Sequence, residues 1–144
     1  MGKVIFDLDG TLSIPEHRMH FIKCDKPDWD KFYDACDKDL PNKPIIEICK
    51  ALHNQGHYIF IFTGRNESAE DKTLVWLKKY GIVWSMVQMR PRKNYTPDYE
   101  LKKAWAEKLL ERHDVLCAFE DRARVVKMYR ELGIPCLQVS EGDF

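Results

Sequence analysis

The stretch KVIFDLDGTLS, residues 3–13, runs three core-type residues, Val4, Ile5 and Phe6, into two carboxylates one residue apart. Asp7 and Asp9 stand where that strand should end, and Gly10 and Thr11 follow. A carboxylate serves as a nucleophile in aspartyl-phosphate chemistry. With a reference pKa of about 3.9 it is ionised at neutral pH without help. It needs an electrophile whose charge has been neutralised, which a metal ion provides at a phosphoryl group. A second carboxylate nearby can protonate the leaving oxygen and later deprotonate water. Strand alternation points Asp7 and Asp9 apart, and the Gly10 turn can bring Asp9 back over the same site.

Two further strand-like runs end in polar clusters. YIFIF leads into Thr63-Gly64-Arg65, and VLCAF leads into Glu120-Asp121-Arg122. In open parallel sheets, sites form outside the carboxyl ends of the strands. One crevice is therefore expected to collect four acids (Asp7, Asp9, Glu120, Asp121), the Thr63 hydroxyl, and Arg65 and Arg122. Two like charges about 4 Å apart repel by about 4 kcal/mol at an effective dielectric of about 20, so such a cluster does not stay ionised without a cation. Oxygen ligands with room for water and a phosphate suit Mg²⁺. A lone D-x-D is more often a solvated turn, and Thr63-Gly64 alone is an ordinary strand-to-helix turn. Three such strand ends in one chain favour catalysis.

The elements that must position these residues alternate. Strands are expected over 3–7, 57–62, 83–88, 114–119 and 135–139. Between them, 43–55 places Ile45, Ile48, Cys49 and Leu52 on one helical face. A helix over 68–80 opens with Ser68 and Asp71 in capping-box spacing and stops at Gly81. Another over 97–112 has Thr96 as its cap and Pro97 in its first turn, and 122–132 stops at Gly133. The pattern implies an α/β fold, a Rossmann-like parallel sheet of about five strands flanked by helices. Residues 12–42 break the alternation and read as a small cap-like insertion over the sheet edge, with one helix over 28–36. It is too short for a core of its own, so residues 1–144 read as a single domain with no large cap. Trp29, Phe32, Tyr33 and Cys36 fit a packed helical face better than a base-stacking platform.

Composition narrows the function classes. The 144 residues are 44% hydrophobic and 12% aromatic, which is a globular composition. Twenty-three basic residues balance 23 acidic ones. That argues against a uniformly basic nucleic-acid coat and leaves a local basic patch or recognition of a chain end. The five cysteines are odd in number and form no C-x-x-C, which points to reduced thiols and a cytoplasmic setting. His17, His20 and Cys24 match no standard zinc spacing. No signal peptide and no membrane-length apolar run is visible, so no membrane association is expected.

DLDGT, the downstream TGR and the late acidic pair resemble the haloacid dehalogenase-like phosphohydrolase superfamily. The segments VQMRPRKN and FEDRARVVKMYRELGIPCLQVSEGDF resemble the phosphatase domain of phage-type polynucleotide kinase-phosphatases, and the likeness spans nearly the whole chain. That resemblance implies roles. Asp7 would be the nucleophile and Asp9 the general acid/base. Thr63 would hold the transferring phosphoryl, and Lys102 would pair with Asp7; the adjacent Lys103 is the other candidate. Asp7, Asp121 and the Asp9 backbone carbonyl would hold Mg²⁺, with Glu120 a further candidate where Asp is more usual. Gly10, Thr11, Arg18, Gly64, Arg65 and Arg90 would bind substrate, with Arg92 and Lys93 extending a phosphate-gripping rim. The expected activity is Mg²⁺-dependent removal of 3′-phosphates from DNA or RNA ends. Met1 lies close to the first motif and no P-loop is present, so the chain reads as the phosphatase module alone, acting beside a separate kinase or ligase. If phage-encoded, it would work in the host cytoplasm. The alternatives are a mononucleotide phosphatase, transfer of the phosphoryl group to another acceptor, or a catalytically silent partner module.

Overall fold

The computed structural model describes residues 1–144. Five parallel strands form the central sheet: β1 (Lys3–Phe6), β4 (Tyr58–Asn66), β5 (Met86–Arg90), β6 (Val115–Glu120) and β7 (Cys136–Gln138). Their order is β5-β4-β1-β6-β7, so the DLDGT strand lies at the centre. The helices are α1 (Trp29–Asp34), α2 (Lys43–Asn54), α3 (Glu70–Lys79), α4 (Asp98–Leu110) and α5 (Ala123–Glu131). The expected α/β architecture is the one observed. No helix is long and apolar enough to cross a membrane.

Strand alternation divides the core in two. Val4 and Phe6 face one side with Ile59, Ile61 and Phe119, under Ile46 and Cys49 of α2 and Trp76 and Leu77 of α3. Ile5 faces the other side with Phe62 and Ala118, under Ala106 of α4 and Val125, Val126 and Tyr129 of α5. A strand buried on both faces reads as an unbroken apolar run, as VIF does. Each such side chain contributes about 1.5–3 kcal/mol on leaving water. Rigid flanks therefore hold the end of β1, where Asp7 N–H donates to Phe119 O at 3.0 Å.

Several boundaries differ from the sequence expectation. β4 does not stop at residue 62; it runs through Thr63, Gly64 and Arg65 to Asn66, with a register irregularity against β5. β5 is displaced toward Arg90 because Val83 and Trp84 precede the strand. Ser68 does not cap α3: Asn66 Oδ1 accepts Ser68 N–H, and a 3-10 turn over Glu67–Ala69 leads into the helix. Thr96 does not cap α4 either. Its N–H goes to Asn94 Oδ1 and its carbonyl accepts from Arg90 Nη1, so its backbone is tied into a loop.

The insertion is richer than one helix. After a 3-10 turn (Glu16–Phe21), Asp28 caps α1 by accepting Lys31 N–H, and a second 3-10 turn covers Ala35–Lys38. Its ends meet as the antiparallel pair β2 (Ser13–Ile14) and β3 (Leu40–Pro41). It packs on α3 and on the turn after β4. Trp76 of α3 fixes it by donating Nε1–H to Asp39 O at 2.9 Å.

Candidate active site

Two buried charge clusters meet at the carboxyl ends of β1, β4 and β6. The first is built on Asp7, Glu120, Asp121 and Lys102. Lys102 comes from the first turns of α4 and is 1% exposed. Its Nζ bonds Asp7 Oδ1 and Glu120 Oε2, both at 2.8 Å, and lies 3.4 Å from Asp98 Oδ2. Burial works against its charge, and Asp7, Asp98 and Glu120 outweigh it, holding the ammonium well above its ordinary value. Lys103, one residue on, is exposed. The helix therefore turns only Lys102 into the site.

This cluster sets four carboxylates against one ammonium. Ligand atoms of Asp7, Glu120 and Asp121 all lie within 4.8 Å of one another. Burial, then Glu120, pushes the Asp7 carboxyl up to about 7. Burial, then Asp7, pushes Asp121 up to about 7 as well. Such crowding is the donor set a hard divalent cation fits. Both oxygens of Glu120 are already engaged, Oε2 with Lys102 and Oε1 with the N–H groups of Asp121 and Arg122. Glu120 thus holds the loop while its carboxylate stays within the acidic cluster with Asp7 and Asp121. Thr11 Oγ1 sits between those two, 3.4 Å from Asp7 Oδ2 and 3.5 Å from Asp121 Oδ1.

The second cluster is Asp9, Asp39, Arg18 and Arg65. Its two carboxylates and two guanidiniums balance. Arg18 Nη2 and Arg65 Nη2 both reach Asp9 Oδ1, the latter at 2.7 Å. Arg18 Nη2 and Arg65 Nη2 also reach Asp39 Oδ2, at 2.7 and 3.1 Å. Burial would raise Asp9, but Arg65 and Arg18 overcome it and hold the carboxyl well below the usual range. The Arg18 and Arg65 side chains are fully enclosed. Expected on a substrate-gripping rim, both guanidiniums here bond Asp9 and Asp39. A guanidinium that deep stays only where carboxylates and other acceptors satisfy it. Arg65 also bonds Thr73 Oγ1, and Arg18 bonds Phe32 O while its guanidinium lies over the Phe32 ring. That contact and the mutual edge contacts with Trp29 and Tyr33 give Phe32 a packing position, while Trp29 remains half exposed.

Thr63 is buried beside β1, and its Oγ1 accepts Arg65 N–H at 3.2 Å. Gly10 has φ +85° and touches Asp121, whose carboxylate occupies the space of any Cβ. Gly64 meets Asp98 in the same way. Arg90 is no free rim cation. Nε donates to Gly64 O at 3.0 Å, and Nη1 donates to Asn94 O and Thr96 O. Arg92, Lys93 and Arg122 are exposed.

Sequence reasoning missed two acids. Asp98 sits against Lys102 and Gly64, and its Oδ1 is buried without a hydrogen-bond partner. The i,i+4 spacing to Lys102 was the available signal. Asp39 organises the second cluster from the insertion, 26 residues from Arg65 in sequence, with no local pattern to mark it.

Comparison with known proteins bears on this geometry. Residues 2–144 match the family model for the polynucleotide kinase PNKP phosphatase domain. A protein of Autographa californica nuclear polyhedrosis virus, provisionally named a bifunctional polynucleotide kinase/RNA ligase, is 32% identical over 135 residues, or 92% of this chain and 18% of its own. A chain of the Pnkp1/Rnl/Hen1 RNA repair complex superposes with TM-score 0.80 at 34% identity, covering 99% of this chain and 43% of its own. A D,D-heptose bisphosphate phosphatase from B. bronchiseptica, complexed with magnesium and phosphate, shares the fold at TM-score 0.59 and 14% identity, covering 96% of this chain and 80% of its own. The chain thus spans less than half the length of the viral and repair-complex relatives. With a haloacid dehalogenase-like sheet and a buried acid–lysine cluster at its strand ends, it belongs to the polynucleotide kinase PNKP phosphatase-domain family, a family of phosphohydrolases.

Proposed function

We propose that the chain is a Mg²⁺-dependent polynucleotide 3′-phosphatase that works through an aspartyl-phosphate on Asp7. The supporting observation is the Asp7 carboxylate itself, bonded to the buried Lys102 on one oxygen and facing Thr11 and Asp121 with the other. Asp7, Asp121 and the Asp9 backbone carbonyl would hold the cation, which when bound supplies charge neutralisation at the phosphoryl oxygens. Asp7 attacks phosphorus in line as the bond to the ester oxygen breaks. Lys102 and Thr63 stabilise the phosphoryl oxygens. Asp9, once protonated against the pull of Arg65 and Arg18, gives that proton to the leaving ester oxygen. It then takes one from the water that attacks the phosphoenzyme, releasing phosphate and restoring Asp7.

The 12–42 segment acts as a small cap in one domain with the rest of the chain, leaving the site open to a nucleic-acid end. The substrate is a phosphorylated DNA or RNA end, met in the cytoplasm in concert with a separate kinase or ligase. Relatives that are longer chains bearing kinase and ligase names, or that belong to an RNA repair complex, support that setting. A mononucleotide phosphatase is the second reading. It is favoured by the zero net charge and by the enclosure of Arg18 and Arg65, which leaves fewer cations for a polyanion.

Phosphate release from one panel, with Mg²⁺ and with EDTA, tests this. The panel pairs 3′- and 5′-phosphorylated oligonucleotides with 3′- and 5′-mononucleotides. Preference for the 3′-phosphorylated oligonucleotide is expected. Preference for mononucleotides moves the function to nucleotide turnover with the Asp7 chemistry intact, and undiminished release in EDTA removes the metal.

A further inference from the structure

The last residues of the chain converge on the five residues that carry Asp121. Val139 N–H donates to Glu120 O at 3.0 Å, and Gln138 Nε2 donates to Asp121 O at 3.1 Å. The Phe144 ring lies under the Arg122 guanidinium, 4.8 Å from ring centre to carbon. Gly142 O accepts Ala123 N–H at 2.6 Å, and Phe144 O accepts Arg124 N–H at 3.3 Å. Each residue from Glu120 to Arg124 therefore meets the segment 138–144.

Helix chemistry explains why this segment is needed. Helix α5 opens on Arg122, which offers no side-chain oxygen as a cap. The first N–H groups of a helix have no partner inside it. Here Glu120 Oε1 takes the N–H of the cap residue Arg122 and of Asp121 before it, and the carbonyls of Gly142 and Phe144 take those of Ala123 and Arg124. The fit is close: a Cβ on Gly142 would lie 2.7 Å from the Asp121 carbonyl oxygen and 2.9 Å from the Phe144 ring. Arg122, stacked on that ring, points Nη1 to within 3.7 Å of Asp98 Oδ2.

We propose that the segment from Val139 to Phe144 positions the Asp121–Arg122 turn for cation binding, with Gly142 and Phe144 as its positioning residues. They act through the Asp121 backbone and the Arg122 side chain, not by touching substrate. The inference rests on the Mg²⁺ reading above.

The test is calorimetric titration of Mg²⁺ into the full chain without substrate, alongside Mg²⁺-dependent kinetics and thermal denaturation. Phe144→Ala and Gly142→Val are each expected to weaken Mg²⁺ binding by about ten-fold, the lower end of what partners of metal ligands contribute. Half-saturating Mg²⁺ in turnover should rise in parallel, with kcat recovered at saturating Mg²⁺. Phe144→Tyr, which keeps the ring, should restore the wild-type Kd. Phe144 is half exposed, so Phe144→Ala leaves the core intact even if Gly142→Val unfolds the chain. A lowered Tm with an unchanged Mg²⁺ Kd in Phe144→Ala would overturn the proposal and leave the tail a simple brace. Absence of Mg²⁺ uptake by the wild-type chain would overturn the metal reading itself, and the tail proposal with it.

Discussion

Asp7 and Asp9 are two residues apart and experience opposite fields. Asp7 faces other acids across Lys102 and is pushed up to about 7; Asp9 faces two guanidiniums and is held low. That difference fits the separate roles proposed for them. A buried acid that stays ionised only beside a cation is suited to the cation and the phosphorus. An acid already paired with arginine is a base toward water at rest and a reluctant acid toward a leaving group. Asp9→Asn is therefore expected to release about one aryl alcohol per site from an aryl phosphate, whose leaving group needs no proton, and then stall with the phosphoryl on Asp7. Stopped-flow absorbance reads that burst, and its absence would remove Asp9 from the second step. Asp7→Asn should lower phosphate release by about 10³-fold or more while leaving the circular dichroism spectrum unchanged. The titrations also set a pH dependence. Asp7 and Asp121 bind protons more tightly folded than unfolded, so between the ordinary value of 3.8 and about 7 the metal-free fold loses stability as pH rises. Under the proposed function, Mg²⁺ would oppose that loss by replacing the protons. The Tm gain on adding Mg²⁺ should grow from pH 5.5 to pH 8; an equal gain at both would contradict a cation between these two acids.

At the scale of elements, the insertion is held to the sheet by charge as well as by packing. Asp39 joins it to Arg65 of β4, its Arg18 reaches Asp9, and Trp76 pins its backbone. Removing one member of a buried ionic network leaves its partners buried and unpaired. Asp39→Ala should cost about 3 kcal/mol in urea denaturation and lower activity, because Arg65 then loses its second anchor beside Asp9. Arg90 belongs to the same scale. Its bonds to the carbonyls of Gly64, Asn94 and Thr96 tie β4, β5 and the approach to α4 into one piece. Sequence reasoning alone would give Arg90→Ala a larger KM effect on nucleic-acid ends than on a small aryl phosphate. The structure instead predicts comparable losses on both, since the loop that places Asp98 and Lys102 is what loosens. Steady-state kinetics on the two substrates distinguishes these outcomes.

For the whole molecule, charge is balanced in sum and uneven in place. The buried cations are neutralised locally, and Arg92, Lys93 and Arg122 are exposed on the loops at the carboxyl ends of β5 and β6. Single-stranded nucleic acid releases about 0.7 counterion per phosphate neutralised. Three contacts give a slope of about −2 for log affinity against log salt, measurable by fluorescence anisotropy with a 3′-phosphorylated oligonucleotide and the Asp7→Asn protein. A slope near zero would favour the mononucleotide reading.

What the sequence determined by itself is local in origin. VIF reads as a strand buried on both faces, so Asp7 had to emerge at its end. Strand–helix alternation implies a parallel sheet, which gathers strand ends on one edge and so brings DLDGT, TGR and ED together. Tertiary structure alone decided which charge meets which. Arg65 continues β4 instead of leaving it, so its side chain turns inward to Asp9. Asp39 accepts from the same guanidinium, 26 residues away in the chain. Glu120, by contrast, meets Lys102 and the N–H groups of its own loop. Pairing of buried charges depends on distances of a few ångströms between segments far apart in the chain, and no periodicity within one segment carries that information.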